Sequence, residues 1–293
     1  MLERTDFPAL WRSADEVSLN GQKQTLFYES LRFWGSIIAA LGSILPVRTG
    51  HIDLSAVITF IGFVLAIFSE VSLWGHRSAE KWYAGRALAE SIKTLVWRYS
   101  IGADPFQLEL DEERVQKFLQ ERIKNILSET SELVIVDTSE PFITPGMKSL
   151  RRESYEKRKD AYIEGRTKDQ QGWYTEKAKL NQRHATNWRI SLLGAEIVAL
   201  VVAAMRISGG WGIDFAGFMA AVIAAAGGWV AVKQFSSLAA AYSVAAKELS
   251  VQMDRLKTVS ENDWPLVVAD AEEAISREHT MWLATRTGNQ TGI

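Results

Sequence analysis

Four apolar runs, grouped in two close pairs, constrain this 293-residue chain more than any other feature. They are Phe33–Val47, Leu54–Ser69, Ile190–Met205 and Phe215–Val232, of 15, 16, 16 and 18 residues. Each is apolar around the whole helix circumference, unlike the single stripe of a soluble amphipathic helix. A spanning helix takes about 20 residues, with a lower limit near 17, so the lengths sit at the threshold. The second run continues to Gly75 with Glu70 as its only charge. Trp34, Trp74, Trp188, Trp211 and Trp229 fall near the run edges. An indole prefers the membrane–water interface, where its ring is sheltered and its N–H still finds a partner. Membrane spans are the expectation, against a soluble bundle of buried helices.

The connections within the pairs, 48–53 and 206–214, are short and carry turn residues (Gly50; Gly209, Gly210 and Gly212), so each pair returns the chain to the side it came from. One side carries Lys23, Arg32, Arg77, Lys81, Arg86, Lys93, Lys177, Lys179, Arg183, Arg189, Lys233 and Lys247; the other carries Arg48 and Arg206. Basic residues stay on the cytoplasmic side. Both termini and the long middle segment are therefore expected in the cytoplasm. The residues before 33 are mixed in charge and do not read as a cleavable signal, so the first span is expected to direct insertion.

Between the pairs, residues 76–100 read as a helix carried on from the second span, and 110–131 as an amphipathic helix with Val115, Phe118, Leu119, Ile123, Ile126 and Leu127 on one face. Residues 133–137, LVIVD, form a short β-like run, too small to found a sheet alone. Pro141, Pro145 and Gly146 punctuate the chain and mark the expected boundary between halves. A proline-free stretch from 149 to 188 predicts one long stalk helix feeding the third span. Residues 233–257 and 265–285 read as two further helices around a break at 262–265. The halves share an order (helix, two spans, cytoplasmic helix). They also share a short pattern, Ala87-x-x-Glu90 with Tyr83 beside Ala245-x-x-Glu248 with Tyr242.

Several chemistries find no support. There are no cysteines, so disulfides, thiolate catalysis and Cys-ligated metals are excluded. The four histidines show no metal-ligand spacing, and no metal or cofactor is expected. Net charge is −2, which gives no electrostatic footprint for nucleic acid. Phosphate-loop and nucleophile-elbow motifs are missing, and GGWGIDFAG lies between spans, so no enzyme is expected.

Residues 143–181, ITPGMKSLRRESYEKRKDAYIEGRTKDQQGWYTEKAKLN, resemble the start of a SLATT module, the SMODS and SLOG-associating two-transmembrane effectors, also labelled DUF4231. Ile143, Thr144, Met147, Leu150, Arg151, Arg158, Tyr162, Arg166, Asp169, Gln170, Trp173, Tyr174, Lys177, Ala178 and Asn181 carry the resemblance. The N-terminal half, with WYAGRALAE (82–90) and WRY (97–99), resembles a second such module in tandem. The expected modules are 1–145, with spans about 31–47 and 54–75 and cytoplasmic helices over 76–137, and 146–293. The second has the stalk 149–188, spans about 189–206 and 215–233, and helices over 234–285. The resemblance implies an all-α, four-span helical membrane protein of the bacterial inner membrane. It also implies a pore-forming effector of anti-phage defence, an oligomer switched by a nucleotide second messenger or a partner sensor. The alternative is a non-conducting membrane-anchored scaffold or sensor that recruits a cytoplasmic partner.

Candidate residues follow from chemistry. Glu196 sits inside the third run, where a carboxylate is expensive and usually faces a bundle interior or a water path. It is a pore or gating candidate, with a packing residue as the plain alternative. Glu70 lies nearer the cytoplasmic end of its span and is a weaker candidate, since interfacial solvation explains it. Trp82, Tyr83, Arg86, Glu90, Arg166, Asp169, Gln170, Trp173, Tyr174, Lys177, Tyr242 and Glu248 are candidates for a cytoplasmic network or ligand pocket. Residues 151–159, RRESYEKRK, read either as an anion site or as a solvated helix face with acidic partners. Small residues recur every fourth position: Gly35, Ala39 and Ser43; Ala195, Ala199 and Ala203; Ala216, Ala220, Ala224 and Gly228. Such stripes let helices approach closely. The second span is bulkier, with Phe60, Phe63 and Phe68, and is the expected lipid-facing helix.

Overall fold

A computed structural model describes residues 2–49, 52–207, 214–273 and 275. The expected loop residues 208–213, including Trp211, and the expected helix end at 276–285 lie outside the described residues. The described chain is almost wholly helical: α1 (Ala9–Ile44), α2 (Leu54–His76), α3 (Ser78–Ile101), α4 (Glu112–Ser128), α5 (Pro145–Arg151), α6 (Tyr155–Tyr162), a π turn (Ile163–Lys168), α7 (Asp169–Ile207), α8 (Phe215–Lys233) and α9 (Phe235–Thr258). Residues 264–273 are helical as well. The β structure is a hairpin of two-residue strands, Arg48–Thr49 and Ile52–Asp53, closing the first loop.

The two halves repeat a device. Asp53 accepts a hydrogen bond from the Ala56 N–H and caps α2; Asp214 accepts one from the Gly217 N–H and caps α8. Each aspartate also pairs with an arginine from before its loop, Arg48 and Arg206. Both apolar helices then end on a non-glycine residue in the left-handed region, Arg77 (φ 47°) and Gln234 (φ 51°). That conformation costs an ordinary L-residue about 1–2 kcal/mol, and each half adopts it at the same step. The helix that follows is 24 residues long in both, α3 and α9.

The chain forms two compact units that cut across the sequence halves. One holds residues 22–79 and 179–239, and the other holds 2–21, 80–178 and the described residues from 240 on. The core cluster of the second unit includes Trp97, Ile92, Phe106, Met147, Tyr162, Leu256, Trp264 and Val268. The C-terminus of α3 organises part of it. Gly102 (φ 71°) follows Ile101; the Ala103 N–H bonds the Arg98 carbonyl and the Gly102 N–H the Tyr99 carbonyl, a Schellman ending. Charged and indole donors add to this helix end: Arg151 gives to Tyr99 O at 2.7 Å, Arg158 to Ile101 O at 2.8 Å, and Trp264 Nε1 to Ile101 O at 3.1 Å. Guanidinium groups suit the negative end of a helix dipole.

Those contacts correct the expected stalk. Residues 149–188 are not one helix: α5 ends at Arg151 and α6 starts at Tyr155, so a turn at 152–154 intervenes. The turn lets Arg151 and Arg158 both reach the end of α3. The helix expected to carry on from the second span is set off from it at Arg77 as α3, and the expected helix over 110–131 is α4, ending at Ser128. LVIVD forms no strand: Val134 is buried, Ile135 is 83 % exposed, and the Asp137 N–H goes to Ser13 Oγ at 2.9 Å. A lone short run has no partner strand to satisfy its backbone.

Three helical stretches among the described residues are long and apolar enough to cross a membrane: α2, one within 155–207, and one within 215–258. The expected fourth, in α1, is not among them. The helix stops at Ile44, short of Pro46 and Val47, and Glu29 and Arg32 interrupt the residues before Phe33.

Candidate functional site

The densest polar chemistry in the unit containing residues 80–178 is a buried charge cluster. Arg166, in the π turn, and Glu272, on the helix 264–273, both have side chains at 0 % exposure. They meet as a fork: Arg166 Nε to Glu272 Oε1 at 3.0 Å and Nη2 to Oε2 at 2.8 Å. Tyr162 donates its hydroxyl to Oε1 at 2.9 Å, and Thr94 of α3 donates to Oε2 at 2.8 Å. The carboxylate is thus satisfied on both oxygens, which is the condition for a buried charge to persist. Arg166 Nη1 faces Glu90 Oε2 at 3.8 Å. Four segments are tied at one point: α3, α6, the π turn and the helix 264–273.

Electrostatics follows this geometry. Burial alone would push the Glu272 carboxyl up; the Arg166 guanidinium, with the Thr94 and Tyr162 hydroxyl donors, outweighs it and holds the group below the ordinary glutamate value. Burial likewise works against the Arg166 charge, but Glu272 wins, so the guanidinium titrates above its ordinary value. The Tyr162 hydroxyl is raised well above its usual value, by burial first and then by the adjacent Glu272 charge. Lys93, one helical position before Thr94, is pushed down by burial, partly offset by Glu90.

Of the residues expected from sequence, the structure brings Glu90 and Arg166 into this cluster. Gln170 is buried and Asp169 is exposed. A second group gathers Arg86, Trp173, Tyr174, Lys177 and Tyr242. The Trp173 and Tyr242 rings are 5.3 Å apart, Tyr174 and Tyr242 5.7 Å, and Arg86 and Lys177 each lie 5.8 Å from the Trp173 ring. Trp82 and Tyr83 are buried with ring centroids 5.0 Å apart. Glu248 is exposed on α9. Its likeness in sequence to Glu90 therefore does not extend to its surroundings. Residues 151–159 divide: Arg151 and Arg158 cap α3, and Lys157 pairs with Glu153 at 2.9 Å.

Sequence reasoning does not single out Glu272 or Thr94, and it marks Lys93 only as one of the basic residues on one side of the spans. Glu272 had a legible signal. Val268, Ala271, Glu272 and Ile275 are all buried at i, i+3, i+4, i+7 spacing, so a carboxylate sits in the apolar phase of an amphipathic helix. A cavity of about 320 Å³ opens between α3 and α4, lined by Thr94, Arg98, Arg122, Asn125 and Glu129 among others. Among the described residues no three His, Cys, Asp or Glu side chains come together as a metal site.

The unit containing residues 22–79 and 179–239 has a different character. Here α1 and α2 meet at glycine: a Cβ on Gly62 would lie 2.3 Å from the Ala39 N, and one on Gly42 2.5 Å from the Thr59 N. Gly35, Ala39 and Gly42 form the buried line, and Ser43 is exposed. Glu70 is exposed and bonds Arg32 at 2.8 Å, and Arg32 also holds Glu29 at 2.6 Å. The outer face of α2 is bulky, with Phe60, Phe63, Ile67, Phe68, Val71 and Trp74 exposed. The exposed residues of α8 are all small: Gly217, Ala220, Ala221, Ala224, Gly227, Gly228 and Ala231. On α7, Glu196 is exposed between Leu193, Ile197 and Leu200, which are exposed too.

A family model described as SMODS and SLOG-associating 2TM effector domain 3 matches residues 8–159. A second, described as SMODS and SLOG-associating 2TM effector domain 1, matches residues 162–282. No curated protein and no solved structure matches the chain.

Proposed function

Because this chain belongs to the SLATT family of two-transmembrane effector domains, carrying two in tandem, we propose that it is a pore-forming effector of a bacterial anti-phage system. It acts in the inner membrane as a homo-oligomer, is gated through its cytoplasmic helices, and has no enzymatic step.

The observation that carries this reading is exposed apolar surface. In the most apolar 18-residue window of each spanning candidate, 11 % is buried for α2, 0 % for the stretch ending in α7 and 6 % for the stretch beginning with α8. Water cannot cover such surface at equilibrium; lipid or another apolar helix must. At about 1.5 Å per residue, the 23 residues of α2 and 19 of α8 rise about 35 and 28 Å, against a hydrocarbon core of about 30 Å. Pairing α1 with α2 through glycine supports α1 as a fourth span. Both termini then lie in the cytoplasm.

Oligomerisation draws support from the kind of residue exposed. Large apolar side chains suit lipid, as on α2, whereas an outer face of alanine and glycine suits a closely packed helix. Glu196 lies on an exposed face of α7, where a carboxylate in hydrocarbon costs about 2.5–3.5 kcal/mol on insertion scales. A water path shared between copies removes that cost. The trigger is a nucleotide second messenger or a partner sensor, for which the cavity beside Arg98, Arg122 and Thr94 offers polar contacts.

Single-channel recording in planar bilayers tests this, with wild type beside Glu196→Gln. Discrete openings whose cation preference changes in the variant are expected. A silent bilayer, with cyclic dinucleotides present and absent, favours the non-conducting scaffold.

A further inference from the structure

From Arg158 to Tyr174 a buried side chain stands at every fourth residue, Arg158, Tyr162, Arg166, Gln170 and Tyr174, with Ile163 and Thr167 buried beside this stripe. An α-helix turns about 100° per residue, so a four-residue step drifts by about 40° and this stripe would wind through roughly 160°. The π turn at Ile163–Lys168 carries one extra residue and takes back about 100° of that winding. A π turn is rare and here includes Gly165, a poor helix former. It is held because the stripe is anchored at both ends. Upstream, Arg158 caps α3, and Tyr162 and Arg166 close on Glu272. Downstream, Trp173 and Tyr174 pack on Tyr242.

We propose that this turn is a two-position register switch, held in the π form by the Arg166–Glu272 fork and the Tyr242 contacts and passing to the α form when either is released. The winding then returns, and α7, one helix from Asp169 to Ile207, turns about its own axis by about 100°. Each position on its circumference passes to the preceding residue. Ala195 takes the place of Glu196, and Ala199 that of Leu200. A methyl group replaces the charge along that line of the helix without any hinge. Packed elements with two discrete arrangements behave in this way. The switch depends on this helix alone; its consequence for conduction rests on the pore reading above.

The absence of cysteine makes the test direct. Single cysteines are placed in turn at 180–189 of the full chain in membrane vesicles and labelled with a water-soluble maleimide. Asn181, Ala185 and Trp188 are the sheltered positions in this structure, so labelling minima are expected there. In Glu272→Gln and in Tyr242→Ala the minima should move by one residue, to 180, 184 and 187. Deleting Glu164, an exposed residue of the π turn, removes the extra residue. In that background neither substitution should move the minima. Should Glu272→Gln fail to fold, Tyr242→Ala decides. Minima that stay at 181, 185 and 188 in the substituted chains, or that move equally in the deletion background, overturn the switch. Labelling phase is read without any current, so a silent bilayer leaves this result standing.

Discussion

The α1–α2 pair and the α7–α8 pair follow the same plan and use their glycines in opposite ways. In the first, Gly35, Gly42 and Gly62 are spent on contact within the chain, where added Cβ atoms would meet backbone at 2.3–2.9 Å. In the second, Gly194, Gly227 and Gly228 have nothing within 4 Å of where a Cβ would stand. The first pair turns phenylalanine and isoleucine outward; α8 turns outward only alanine and glycine. Duplicated units need not keep duplicated roles. One pair is finished as a packed hairpin, and the other presents surfaces suited to a further helix.

The largest expected effect separates the pairs by mutation. Gly62→Val drives a branched side chain into the α1 backbone and is expected to cost about 3 kcal/mol or more, read as lost folded yield and a lower midpoint in thermal melts. Gly227→Val enters open space and should leave the fold of a single chain within about 0.5 kcal/mol, while lowering the oligomer fraction in detergent. Equal losses of stability in the two variants would erase the distinction.

Next come the matched glutamates of the two repeats. Glu90→Ala leaves Arg166 Nη1 without its carboxylate neighbour and should cost about 1–3 kcal/mol, whereas Glu248→Ala, on an exposed face, should stay within about 0.5 kcal/mol. Chemical denaturation of both variants reads the difference.

Titration sharpens the same contrast. Glu272 has a folded value below its ordinary one, so its stabilisation is present above about pH 4.3 and is lost as pH falls through the folded value. Tyr162 has a folded value above its ordinary one. Its contribution is full below about pH 10 and is lost as pH rises toward the folded value. Melting temperature against pH should therefore fall at both extremes, and Glu272→Gln should flatten the acid limb. An unchanged acid limb would mean that the buried fork does not govern acid stability. The smallest effect belongs to the exposed Arg32–Glu70 pair: Glu70→Gln should change stability by less than about 1 kcal/mol, detectable in a melt at low salt.

Much of the architecture was legible because apolar runs and turn residues carry it. The helix pairs and the amphipathic α4 follow from spacing alone. The proline-free run from Ser149 to Trp188 carries no local sign of the break at 152–154, which goes with two arginines reaching a distant helix end. The π turn is the same kind of effect: its local signal, burial every fourth residue, becomes visible only once the partners at Glu272 and Tyr242 are known. Glu90 and Arg166 could be singled out as charged groups among aromatics. Glu272 lies 106 residues from Arg166, and no local pattern joins them. Glu248 shows the converse, since a shared Ala-x-x-Glu did not bring a shared environment.

The most direct test of the central claim, that chains associate through the second pair and face lipid with the first, is oxidative cross-linking in membranes. The cysteine-free chain would carry one cysteine at Ala224 on α8 or at Phe63 on α2. The account predicts a disulfide-linked species at twice the 32.8 kDa chain mass for Ala224→Cys and little for Phe63→Cys. Equal cross-linking at the two positions, or none at Ala224→Cys, would contradict it.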